Sequence, residues 1–124
     1  EDLNKLQMTG LSVPTFNGRL NFAFSVLAGD HLACNEIGGF QKNFSSGQFC
    51  RLCHVSYEQR LIPLTKISFP QRTTDEHDRL VQKVLQMNNG TILEGVADLS
   101  PLSTLIGFHA VTSLPNDIMH DFAE

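Results

Sequence analysis

Cys50, Arg51, Leu52 and Cys53 place two thiols two residues apart. At that spacing a tight turn lets both thiolates face one metal ion, as in zinc knuckles and fingers. Tetrahedral zinc takes two more ligands, and Cys34, His54, His77, His109 and His120 are the soft or borderline donors on offer. His54 is the nearest, but its place beside Cys53 makes simultaneous ligation awkward. Two other readings stand next to zinc. The thiols can be buried as small apolar groups, or they can form a redox pair. The redox reading wants a strand before the pair and a helix after it, whereas Gly47-Gln48 and a polar loop precede it here.

Asp30 is a second candidate. It follows Gly29 at the end of an apolar run, a position where α/β folds place functional groups; as a plain turn residue it would only end that run. The third is the segment Leu114-Pro115-Asn116-Asp117-Ile118-Met119-His120-Asp121-Phe122-Ala123-Glu124. If Asn116 or Asp117 caps a helix, His120 and Glu124 fall four apart on one face. That pairing serves metal binding or proton transfer, and equally a solvated, acidic first turn favoured by the helix dipole.

These groups need elements to hold them. Leu20, Phe22, Phe24 and Val26 alternate with Asn21, Ala23 and Ser25, which predicts a strand over 20–28 with one strongly apolar face, stopped by Gly29-Asp30. Leu3 and Leu6 have helical spacing within 1–8, and a short helix is expected over 31–37, ended by Gly38-Gly39. The stretch 61–70 reads as loop. Thr73 or Thr74 caps a helix in which Leu80, Val84 and Met87 recur at helical spacing, and Asn88-Asn89-Gly90 end it. A last helix is expected from Asn116 or Asp117 onward. Mixed strand and helix signals point to an α/β or α+β fold.

Composition bounds the function. Apolar residues make up 41% of 124 and charged ones 18%, enough for one domain with a buried core. Nine basic against 13 acidic residues give a formal charge of −4, which excludes a simple basic clamp on nucleic acid. A nucleic-acid role then needs a local basic patch or a metal-assisted site. No apolar run approaches the ~18 residues of a membrane span, so no membrane partner is expected. Three cysteines cannot complete an internal disulfide framework, and a tight pair plus a loner fits nucleus or cytoplasm better than secretion. With Glu1 at one end and a helix-like Glu124 at the other, the chain reads as a piece of something longer.

Taken in order, Val26-Leu27-Ala28-Gly29-Asp30, Ile37-Gly38-Gly39-Phe40, Phe49-Cys50-Arg51-Leu52-Cys53, and Phe108-His109 followed by Leu114 to Asp121 and Glu124 form a recognisable series. The series resembles a transposase-like DDE family with an RNase H fold. That family is related in layout to the KDZ-type elements and to the recombinase of vertebrate antigen-receptor assembly. The resemblance spans residues 20–124, with 56–100 matching poorly.

The resemblance implies a fold, a site and partners. The chain would be one segment, 1–124, from the C-terminal part of a partial RNase H-like core with a zinc-bearing insertion: strand and acid over 20–40, insertion over 41–120, start of a late helix over 116–124. In such enzymes three carboxylates hold two Mg or Mn ions that cleave and join DNA phosphodiesters. Asp30 then corresponds to the second acid and Glu124 to the third, with Asp121 as its rival. Cys50, Cys53, His109 and His120 correspond to a structural zinc site. DNA is the implied partner, and a homo-oligomer is admitted. The first acid would lie on an earlier strand, and nothing before residue 20 offers it, so the segment alone should not cut DNA. The alternative is a zinc-stabilised interaction module, or a domesticated transposon remnant, without catalysis.

Overall fold

The computed structural model describes residues 1–61 and 69–117. In chain order these form α1 (Asp2–Thr9), the antiparallel strands β1 (Leu11–Ser12) and β2 (Arg19–Leu20), α2 (His31–Gly38), a 3₁₀ turn (Tyr57–Gln59) and α3 (Thr74–Met87), a small α+β arrangement. No helix is long and apolar enough to cross a membrane.

The core is built on α3. Thr73 caps it by accepting the Glu76 backbone N–H at 3.3 Å, and Asp75 and Glu76 in the first turn complement the helix dipole. Asn88 ends it in the left-handed conformation, φ 46°. Its buried residues His77, Leu80, Val81 and Val84 form one stripe at helical spacing. Leu80, Val81 and Val84 pack with Phe40, Val96 and Ala110, and Leu93 and Phe108 close the margin.

Phe40 reaches that cluster through a backbone junction. α2 begins at Asp30, whose Oδ1 accepts the Ala33 N–H at 2.7 Å, and stops at Gly39 in the left-handed region, φ 75°. Beyond the stop, Gly39 O accepts the N–H groups of Ala97 and Asp98 at 2.8 and 3.0 Å, and the Gln41 N–H donates to Gly95 O at 2.8 Å. Phe40 and Val96 pair between them. A Cβ on Gly39 would stand 2.2 Å from Asp98 O, so only glycine satisfies both the turn and the approach.

α1 buries nothing and is held by side-chain amides. Asn4 donates to Thr104 O at 2.7 Å and accepts the Ile106 N–H at 2.8 Å, while Gln7 donates to Ile106 O and accepts the Phe24 N–H.

The predicted strand over 20–28 forms only at its first residue. Leu20 pairs with Leu11 and Arg19 with Ser12, and residues 21–30 carry no regular structure. Leu20, Phe22 and Val26 are exposed, and the Leu27 N–H donates to Ser113 O. A strand requires a neighbour for its peptide groups, and among the described residues none runs alongside this segment. The predicted helix over 31–37, the helix capped at Thr73, and helical character over 1–8 all appear. Asn116 and Asp117 have irregular backbone, and the rest of the predicted late helix lies outside the described residues.

Gly39→Ala is expected to destabilise the chain by more than about 2 kcal/mol, through left-handed strain and the contact with Asp98 O. Urea unfolding of the variant against the wild type, with unchanged slope, is the check.

Candidate functional site

The cysteine turn has no helix behind it. It is irregular backbone fixed by two buried arginines, Arg51 and Arg72. Arg51 donates to Leu114 O at 3.1 Å and Pro115 O at 2.6 Å, and its Nη1 lies 3.1 Å from His31 Nδ1. Arg72 donates to Cys50 O at 2.9 Å and Glu94 O at 2.6 Å. Residues 52–54 lie antiparallel to 70–72: the Arg72 N–H donates to Leu52 O, the His54 N–H to Pro70 O, and Cys53 faces Gln71.

Both sulfurs receive backbone amides. The Leu52 N–H points at Cys50 Sγ at 3.4 Å, and the Val55 N–H donates to Cys53. The two thiols are close enough to influence each other, and neither is in a disulfide. Burial pushes the Cys53 thiol up to about 11, and the neighbouring Cys50 adds to the rise, while the Val55 amide and Arg72 oppose it. A redox dithiol needs a thiolate near neutral pH and a helix N-terminus to favour it; the raised Cys53 and the irregular backbone supply neither.

His109 stands elsewhere. Its Nε2 is 2.9 Å from Asp78 Oδ1, its Nδ1 accepts the Val111 N–H at 3.1 Å, and its ring meets His77 edge-on with centroids 5.4 Å apart. His77, Asp78 and His109 share the lining of a 210 Å³ cavity with Ser100 and Ser103. Among the described residues the structure brings Cys50 and Cys53 together and leaves His109 on Asp78, outside chelating distance of the pair. His120, Asp121 and Glu124 lie outside the described residues. The donor chemistry at the cysteine turn therefore fits half of a zinc site.

Asp30 is exposed, and one of its oxygens is engaged as the cap of α2. No group of three metal donors among the described residues includes it.

One group of three does come together, and it was not anticipated as a set: His54, Glu76 and Glu94, with one donor atom from each within 4.8 Å of the others. His54 Nε2 is 3.1 Å from Glu76 Oε2, and its Nδ1 is 3.0 Å from Gln48 Oε1. Glu76 is placed by the first turn of α3. Glu94 is placed by the tight turn between Leu93 and Val96, where it takes the left-handed conformation, φ 48°. Gly95 beside it packs against Gln48 O, where a Cβ would stand 2.1 Å away. His54 appears among the donors in the sequence, but Glu76 and Glu94 carry no motif that marks them.

No protein-family model, curated protein or solved structure matches the chain.

Two outcomes are expected. Asparagine caps helices as well as aspartate, so Asp30→Asn should hold stability within about 0.5 kcal/mol while Asp30→Ala loses about 1 kcal/mol, read by denaturant unfolding. Burial, with His109 and Arg72 nearby, lowers His77 from 6.5 to about 4 against the opposing pull of Asp78. A depressed histidine leaves stability intact above pH 6.5, erodes it as pH falls towards 4, and levels off below that. The erosion amounts to roughly 3 kcal/mol in all. Unfolding midpoints at pH 7 and 5 should converge for His77→Leu relative to the wild type; equal pH slopes in both proteins would remove His77 as the cause.

Proposed function

We propose that the chain is a zinc-stabilised segment of a transposase-like protein that cleaves and joins DNA with Mg or Mn. The single observation that carries the zinc part is the Cys50–Cys53 turn, where two thiols face each other and each sulfur receives a backbone amide. Burial and the neighbouring Cys50 raise the Cys53 thiol despite the amide, and a divalent ion that displaces both protons would relieve the repulsion between the two thiolates. The ordered motifs from Val26 to Glu124 support the DNA chemistry, and an RNase H-like core belongs to the same proposal. Cys50 and Cys53 supply two zinc ligands; His120 and His109 remain the candidates for the others, and His109 would have to leave Asp78 to serve. Asp30 contributes one metal-binding carboxylate to a three-acid centre. The segment alone is not expected to cut DNA.

A second reading, an interaction module without nuclease chemistry, draws support from the use of Asp30 as the α2 cap. In a longer protein that contains this segment, Asp30→Asn would abolish metal-dependent strand cleavage under the first reading and leave function unchanged under the second.

Elemental analysis of the purified chain should find about one zinc per chain, lost in Cys50→Ser and Cys53→Ser, with faster amide exchange across residues 44–60 in both variants. A folded chain that takes up no zinc overturns the reading.

A further inference from the structure

His54, Glu76 and Glu94 converge from three separate places: the strand-like segment after the cysteine turn, the first turn of α3, and the 93–96 turn. Each is fixed independently. His54 is held through its backbone to Pro70 and through Nδ1 to Gln48; Glu76 is held by the Thr73 cap; Glu94 is held by the turn whose carbonyl accepts Arg72. The backbone that carries each donor is therefore fixed before any ligand arrives.

The contacts leave a gap in the chemistry. His54 Nδ1 lies 3.0 Å from Gln48 Oε1, and its Nε2 faces a Glu76 oxygen 3.1 Å away. A ring nitrogen and a carboxylate oxygen at that distance can share a proton or, with Glu94 as a third donor, a metal ion. The Glu94 carboxylate lies within the same 4.8 Å and is exposed. Arg72 is the adjacent cation, yet its Nε and Nη2 are directed to the carbonyls of Cys50 and Glu94 rather than to either carboxylate. One guanidinium against two carboxylates leaves one negative charge over.

We propose that His54, Glu76 and Glu94 bind a divalent transition-metal ion through one imidazole nitrogen and two carboxylate oxygens, with water completing the shell. One nitrogen and two oxygens suit manganese through zinc better than calcium or magnesium, which take oxygen sets. Gln48 acts as a positioning residue, since the partner of the second ring nitrogen sets the tautomer and aims the first. This site uses neither cysteine as a ligand, so manganese uptake tests it apart from the zinc reading above.

Manganese is the probe, because it avoids thiols where zinc and cobalt seek them. Titration of the purified 124-residue chain with Mn²⁺, followed by loss of the free-ion paramagnetic resonance signal, should show one bound ion. Glu94→Gln, at an exposed position, and Glu76→Gln should each weaken it roughly tenfold or more, and Gln48→Ala by about tenfold with every ligand retained. Glu36→Gln, at an exposed carboxylate outside the cluster, should leave Mn²⁺ binding unchanged. Circular dichroism keeps folded variants in the comparison. No Mn²⁺ uptake by the wild type, or equal uptake by Glu94→Gln and Glu76→Gln, would reduce the cluster to a histidine–carboxylate ion pair and overturn the proposal.

Discussion

Arg72 is a cation almost without access to water, 6% exposed, and much of the structure is arranged around that fact. A buried guanidinium is tolerated only where acceptors and negative charge replace its hydration. Burial pulls its affinity for the proton down, and Cys50, Cys53, Glu94 and Glu76 hold it up. Its Nε and Nη2 tie the cysteine turn to the 93–96 turn, and its plane lies 5.5 Å over the Phe40 ring at the core. One side chain thus joins the hydrophobic cluster, the thiol pair and the carboxylates. Arg51 does the same on the other side of the turn, fastening it to the carbonyls of Leu114 and Pro115. With so little sheet, such polar cross-links take over the work that ladder hydrogen bonds do in a β-rich protein.

What the sequence revealed follows from the range of each interaction. Thr73, the stripe from Leu80 to Met87 and Asn88 specify α3 within one local stretch, and both ends fall at the caps read from the chain. Gly38-Gly39 stop α2 for an equally local reason, the left-handed φ at Gly39. The alternation from Leu20 to Ala28 also has a local period, but a strand is completed by a second chain segment. Here the Phe24 and Leu27 amides go to Gln7 and Ser113 instead, and the pattern ends as extended, irregular backbone with apolar side chains exposed.

The candidate site divides along the same line. Cys50 and Cys53 are near neighbours in sequence, so their pairing is legible from spacing, although Arg51 and Arg72 hold the turn through distant contacts. His109 is matched to them by a resemblance alone, and tertiary packing places it on Asp78 and His77. His54 and Glu76 are 22 residues apart, and Glu94 arrives on a different turn again. No periodicity links such positions. The one local hint is that Glu94-Gly95 is a tight-turn pair flanked by Leu93 and Val96, which fixes the backbone but says nothing about which side chains the carboxylate will meet.

The placement of the two metal-compatible groups on either side of one guanidinium raises an electrostatic question, because a cation beside Arg72 should be repelled. Counting charges by site resolves it. Zinc on two thiols displaces their protons, so the ion and its two thiolates are neutral together. A divalent ion on Glu76 and Glu94 is likewise neutral with its two carboxylates. Neither loading presents an uncompensated cation to Arg72, and both replace repulsion between like donors with a shared counter-ion. Burial of Arg72 is met by the backbone carbonyls of Cys50 and Glu94 as well as by the nearby charges, and those two bonds hold the turns in register. The arginine fixes the backbone of both turns, and the charge of each donor set is left to be matched at that set rather than by the guanidinium.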